Sequence, residues 1–210
     1  MYDMILYSEK EHRGFTCRVY YDPYPWSPDE WDTLGTIYSN HRNYNPQKHE
    51  MNEIIWFDDE GNWHVDDDYI YVRMYMYEHG GITVWSSREP QRCGWDSGLF
   101  AIFAVHKDKA AKEFGDVSNP ENYERVMSCL EAEVEAWDTY FRGEVYGYEV
   151  EDENGAEIDS CWGFYCEPEE VMEEAISIAD WEADKIEKEE REIAEQIEKY
   201  EMICDPFWID

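Results

Sequence analysis

Basic residues are scarce in this chain: 17 Lys and Arg stand against 51 Asp and Glu in 210 residues, a formal charge of −34. A chain so balanced repels nucleic acid and anionic membrane, and it attracts basic surfaces over about one Debye length, ~8 Å at physiological salt. Direct nucleic-acid binding is therefore excluded, and a basic protein surface is the natural partner. Long apolar runs are also missing. No stretch approaches the ~18 consecutive apolar residues of a membrane span. The amino terminus MYDMILYSEKEHRG lacks the basic-then-apolar pattern of an export signal, so a soluble cytoplasmic protein is expected. Cys17, Cys93, Cys129, Cys161, Cys166 and Cys204 include no CxxC pair, which argues for reduced thiols and against structural zinc. Asp66-Asp67-Asp68 and Glu151–Gly155 lack the spacing of a calcium loop, and Gly80-Gly81 is too little for a phosphate cradle. No metal or cofactor is expected.

What the chain does have is aromatic mass. Ten Trp, 17 Tyr and eight Phe are far more than a disordered acidic tail carries, so the chain should fold. Its charge is polarised. Residues 1–105 hold 18 acids against eight bases, net −10, whereas residues 106–210 hold 33 against nine, net −24. Between Arg142 and Lys185, residues 143–184 carry 15 acids and no Lys, Arg or His. Like charges at neighbouring positions destabilise helices and strand pairs by a few tenths of a kcal/mol each. Such a segment forgoes stability, so a partner or an extreme salt environment is the reason to seek.

Hydrophobic periodicity predicts an α+β fold with a mostly antiparallel sheet. Phe15–Tyr21 alternates and ends at a Pro-rich loop; Ile54–Phe57 and Trp63–Val65 flank a turn; Tyr69–Tyr77 reads as an interior strand covered on both sides, beside Ile82–Trp85 and Leu99–Val105. Asn119-Pro120 starts an amphipathic helix over about 119–142, which Gly143 stops. Glu144–Glu151 and Glu157–Tyr165 flank Asn154-Gly155, the signature of a type I′ hairpin. From Pro168 a helix runs to about Met202. Along it Met172, Ile176, Ala179, Ala183, Ile186, Glu190, Ile193, Ile197 and Tyr200 recur at alternating spacings of 4 and 3, a heptad seam broken by Glu190. At 1.5 Å per residue it is on the order of 50 Å long, so its distal part could project. The expected organisation is one α+β domain over 1–166, with Lys107–Asn119 the best candidate joint, and an acidic helical segment over 167–210 that packs on it or forms a homodimer.

Two short motifs resemble nucleophilic sites. Cys93-Gly94-Trp95-Asp96-Ser97-Gly98 gathers a thiol, a carboxylate and a hydroxyl between glycines, with His79 and His106 as conceivable bases. It is not a GxSxG elbow, and a tight turn explains its glycines equally well. Cys161 lies where no basic residue lowers a thiol pKa, so Asp159–Tyr165 reads as a buried strand with Trp162 and Phe164.

The blocks Tyr77–Thr83, Trp95-Asp96-Ser97-Gly98, Tyr140–Gly147 and Asp159–Tyr165, with Ser27-Pro28, Trp31-Asp32 and Leu34-Gly35-Thr36, resemble an uncharacterised family of bacteriophage and prophage proteins, in interrupted blocks over most of residues 22–166. The resemblance implies a phage-related origin, hence a host bacterial cytoplasm, and no established reaction. Phages must neutralise restriction and CRISPR nucleases, whose basic grooves fit a duplex with one charge per ~1.7 Å. The expectation is therefore a non-catalytic DNA mimic that occupies the groove of a defence nuclease or its DNA-recognition subunit. Glu149, Glu151, Asp152, Glu153, Glu157, Glu167, Glu169, Glu170, Glu173 and Glu174 would stand in for phosphates. The alternatives are a small enzyme using the Cys93–Ser97 turn with His79, a small-ligand sponge or sensor with an aromatic-lined pocket, and plain adaptation to high salt.

Overall fold

The computed structural model describes residues 4–86 and 97–204. In chain order the elements are β1 (Leu6–His12), β2 (Phe15–Tyr21), β3 (Thr36–Ser39), β4 (Ile55–Phe57), β5 (Trp63–Val65), β6 (Tyr69–Glu78), β7 (Ile82–Ser86), β8 (Ser97–His106), α1 (Lys107–Phe114), α2 (Pro120–Arg142), β9 (Tyr146–Glu151), β10 (Glu157–Phe164) and α3 (Pro168–Cys204). All ladders between these strands are antiparallel, and the fold is α+β.

The chain forms two compact units: residues up to Pro23 with those from Val145 onward, and Tyr24–Glu144. This differs from the expected division at residue 166. The reason is a ladder that sequence periodicity cannot reveal: β2 pairs with β9, Cys17 opposite Val150, so the first strands belong with the carboxy-terminal hairpin and helix. Lys107–Asn119 is no joint either. It contains α1, whose Ala110 is buried in the core of the second unit.

In the discontinuous unit the sheet order is β1-β2-β9-β10. Alternation puts Phe15, Cys17 and Val19 of β2 and Tyr146, Tyr148 and Val150 of β9 on one face, where Val171, Ala175, Ala179 and Ala183 of α3 close over them. Small residues along α3 let its backbone approach the sheet, and the Cys17 thiol reaches the Ala175 carbonyl at 3.7 Å. Burial pushes that thiol's pKa up. β1 and β2 are joined through Arg13-Gly14, both at positive φ (48° and 87°), the signature of a type I′ turn. The Asn154-Gly155 hairpin forms, but with another turn. Only Gly155 has positive φ, Gly155 N–H donates to the Asp152 carbonyl at 3.0 Å, and Asp152 N–H donates to Ala156 O at 2.9 Å. This is a three-residue loop. The Asp152 carboxylate, accepting from Asn154 N and Ala156 N at 2.8 Å each, fixes it in place of type I′.

In the second unit the order is β3-β8-β6-β7. α2 is capped as expected: Asn119 accepts from Glu121 N at 3.0 Å, Pro120 opens the helix, and Gly143 is left-handed with Gly143 N–H to Tyr140 O and Glu144 N–H to Thr139 O, a Schellman pair. Its Val126, Leu130, Val134 and Trp137 bury against Ile70, Val72, Met74, Phe103 and Val105. A smaller cluster of Tyr38, Ile54, Val65, Ile102 and Ala104 covers part of the other face. β8 is thus the strand buried on both sides, whereas the Tyr face of β6 is half-buried.

Candidate functional site

Two opposite surfaces of the discontinuous unit carry groups of acids. On the sheet face turned away from α3, the register sets Glu9, Arg18, Glu149 and Ser160 in one row across four strands, and Glu11, Thr16, Glu151 and Glu157 in the next. Arg18 lies between the carboxylates, with Nε 2.5 Å from Glu9 Oε2 and Nη1 2.5 Å from Glu151 Oε2. These two rows thus hold five carboxylates and one guanidinium, which pairs with two of them. Burial, then Glu157 and Glu151, push the Glu149 carboxyl above its ordinary range, and Tyr20 and Arg18 oppose the shift. The third row is aromatic. Trp162 lies over Gly147, where a Cβ would meet the indole at 2.2 Å, and the Tyr20 and Trp162 ring centroids are 6.1 Å apart.

The second surface is the outer side of α3. At 100° per residue Val171, Ala175 and Ala179 mark the buried side, and Glu169, Glu170, Glu173 and Glu174 fall on the opposite side, all exposed. Glu169 and Glu170 also occupy the first turn, where the helix dipole favours negative charge.

The ten expected phosphate mimics therefore do not form one array. Glu153, Glu157, Glu167, Glu169, Glu170, Glu173 and Glu174 are exposed. Glu149 and Glu151 are half-buried on the sheet face, Glu151 is ion-paired to Arg18, and Asp152 is occupied by its loop, whose amide donors lower its pKa. Sequence reasoning missed Glu9 and Glu11, because the sequence Leu6–His12 shows no apolar alternation to mark it as a strand. The one signal was Arg13-Gly14 between two short runs. It also missed the cluster behind that turn: Arg13 meets Asp180 at 3.1 Å, Asp184 at 2.8 Å and Glu187 at 2.7 Å, and His12 Nε2 meets Asp180 at 2.8 Å. His12 and then Arg13 hold the Asp180 carboxyl below its usual range.

In the second unit the nucleophile candidates separate. Cys93, Gly94, Trp95 and Asp96 lie outside the described residues. Ser97 begins β8 opposite Tyr77, at the sheet end that carries the β6–β7 turn with His79. His106 is at the other end of β8, opposite Tyr69, nine residues or about 30 Å away. Its Nδ1 accepts from Asp108 N at 3.2 Å as the cap of α1, a structural use that removes it as a base toward Ser97. Cys161 is exposed on the edge strand β10, contrary to the expected buried strand; among the described residues of its unit no strand pairs with the outer side of β10. Among the described residues no cluster of three or more His, Cys, Asp or Glu is arranged to hold a metal ion, and no helix is long and apolar enough to cross a membrane.

An aromatic-walled cleft of about 370 Å³ opens beside β5 and β6. Trp56 stacks on His64 at 4.6 Å, the Arg73 guanidinium sits 4.7 Å from the Trp63 ring, and Tyr71, Asp67 and Lys107 complete the wall. His64 is held by Asp58 at 3.0 Å, and that contact, with Asn62, drives the Asp58 carboxyl far below its usual range. No family model, curated protein or solved structure matches the chain.

Proposed function

We propose that the protein is a non-catalytic inhibitor that presents carboxylates in place of phosphates to the basic nucleic-acid groove of a host defence nuclease or its DNA-recognition subunit. The observation that carries this proposal is the state of seven acids. Glu153, Glu157, Glu167, Glu169, Glu170, Glu173 and Glu174 are exposed, and among the described residues none of them is ion-paired to a cation. Carboxylates that serve the fold, such as Glu151 and Asp180, have donors. Five of the seven fall within residues 167–174, about 10 Å of helix axis, or one charge per ~2 Å, close to the ~1.7 Å of a duplex. A rigid base supports them, since Val171 and Ala175 beneath are fully buried, and a preorganised array loses less entropy on binding. The likeness of the sequence blocks to phage and prophage proteins directs the choice of target to defence nucleases.

The test is charge reversal at the helix alone. The protein with Glu167, Glu169, Glu170, Glu173 and Glu174 changed to Lys is compared with wild type for salt-sensitive, duplex-DNA-competed capture of a nuclease or recognition subunit from bacterial lysate. Wild type should retain such a protein and the variant should not; equal retention refutes the mimicry.

A second reading is favoured by the cleft at Trp56 and Trp63. Its volume falls in the ~300–1,000 Å³ range of small-ligand sites, and its stacked rings suit a planar ligand such as a nucleotide, with Arg73 and Lys107 for its anionic groups and Asp66 and Asp67 for its donors. Thermal stabilisation by nucleotides that is lost in Trp56→Ala would support a ligand sponge or sensor.

A further inference from the structure

The distal half of α3 carries an unmet surface separate from the acids above. Among the described side chains Ala183 is the last buried one of the helix, and every side chain from Asp184 to Tyr200 is exposed. Within that stretch the heptad seam continues: Ile186, Ile193, Ile197 and Tyr200 are 44%, 57%, 53% and 68% exposed, along about 21 Å of helix. Docking to its own sheet accounts for the seam only as far as Ala183. The Arg13 ion pairs to Asp180, Asp184 and Glu187 fasten the helix at the point where the buried part ends. A helical segment without tertiary cover gains nothing from packing, and isolated helices of this length are marginal in water.

Charge on this segment is sorted around the seam. With Ala183, Glu190 and Ile197 at the a positions and Ile186, Ile193 and Tyr200 at d, the flanking e and g positions from 182 to 196 are Glu182, Glu187, Glu189, Ala194 and Gln196, and Glu190 lies in the seam itself. Lys185, Lys188, Arg191 and Lys199 all fall on the outer b, c and f positions. Lys185 pairs with Glu182 at 3.1 Å and Lys188 approaches Glu192 at 3.9 Å, both along the helix. The rim of the apolar strip is thus wholly anionic or neutral. Glu182 and Glu187 already have cations, Lys185 and Arg13, but a second copy in parallel register would set Glu190 against Glu190, and an antiparallel copy would bury Glu190 against Ile193. Both arrangements are penalised, whereas a helix with Lys or Arg beside its own apolar seam meets complementary charge on each side and a partner for Glu190.

We propose that residues 186–200 of α3 are a docking strip for an amphipathic, basic-rimmed helix of a partner protein, with Ile186, Ile193, Ile197 and Tyr200 as its anchors and Glu189 and Glu190 as its polarity code. The strip binds through a seam rather than a groove of phosphate mimics, so it stands whether or not the nuclease proposal does. The probe is a fluorescent 21-residue peptide with Leu at a and d and Lys at e and g, titrated into the full chain by anisotropy at ~0.15 M salt; the control peptide has Glu at e and g. The Lys peptide should bind, the Glu peptide should not, and Ile193→Ala with Ile197→Ala should weaken the Lys peptide at least tenfold while helicity by circular dichroism is unchanged. Binding that survives the double substitution is attraction to net charge alone and overturns the proposal. So does a wild-type protein that sediments as a dimer and reverts to monomer on the same substitution, for then a second copy covers the strip. Absence of binding by the Lys peptide overturns it as well.

Discussion

Replacing Arg18 by Met asks whether charge holds the open face of the discontinuous unit. Arg18 bridges Glu9 on β1 and Glu151 on β9 at 2.5 Å each, and its side chain is a quarter exposed. Charge-assisted hydrogen bonds each contribute ~1.5–3 kcal/mol when shielded, and exposure at Glu9 screens much of this, which leaves about 2 kcal/mol for the pair. Met keeps the aliphatic bulk of the stem, so the loss is mainly electrostatic. It should also depend on pH. A carboxyl whose folded pKa is raised, as burial and the neighbouring acids raise that of Glu149, makes the folded state bind more protons than the unfolded chain. Stability then falls as pH rises from about the ordinary value of 4.5 through the folded one. Arg18 opposes the raised value, so its removal deepens this loss. The Arg18→Met deficit should therefore be largest at pH 7 and shrink toward pH 4, where the raised Glu149 carboxyl takes up its proton and Arg18 has no charge there to offset. Hydrogen exchange of the β2 and β9 amides reads it directly: about 2 kcal/mol is a roughly 30-fold loss of protection at pH 7. Equal loss at both pH values, or none, would refute the electrostatic account.

Two further outcomes test the second unit. Gly35→Ala puts a Cβ 2.4 Å from the Phe103 ring and 2.9 Å from Leu130, so overpacking should cost ~1–3 kcal/mol in urea unfolding, and a neutral result would mean that the strand has room to move. Glu133 accepts from Leu34 N at 2.5 Å and Gly35 N at 2.8 Å, yet burial still raises its pKa, so its contribution to stability declines as pH climbs from about 4.5 through the folded value. Glu133→Gln should remove that part of the pH dependence and expose one amide donor to another at a cost of ~1–3 kcal/mol; parallel pH–stability curves for the two proteins would contradict it.

Elements with their own punctuation were legible in the sequence. α2 was readable from Asn119-Pro120 to Gly143 because its caps and its apolar spacing agree, and β2, β5 and β6 because alternation and turn residues bound them. What stayed hidden depends on pairing across the chain. β1 carries Leu6 to His12 with hardly any buried residue, so only its partner β2 makes it a strand, and with it went Glu9, Glu11 and the Arg13 cluster. The β2–β9 ladder, which decides the division into units, joins segments whose local patterns are equally compatible with other neighbours. The candidate acids were legible as a bloc of charge. Their separation onto two faces was not, since it follows from where α3 lands on the sheet.

Their local donors also sort the carboxylates of both units by what they do. Asp152 shapes a loop, Glu133 ties a strand entry to α2, Asp138 holds the Val84 amide at 2.7 Å, and Asp180 anchors Arg13. Each has donors, and in most cases loss of the acid would leave a backbone amide or a guanidinium without its partner. Past the first turn, where Glu169 and Glu170 complement the helix dipole, Glu173 and Glu174 on the outer side of α3 have no such duty. Removing them should relieve repulsion and leave the core beneath untouched, because Val171, Ala175 and Ala179 bury without their help. A chain that keeps these charges at some cost to its own stability keeps them for something other than its fold. The two kinds of acid are separable by experiment: substitutions of the first kind should be read in unfolding, and those of the second in binding alone.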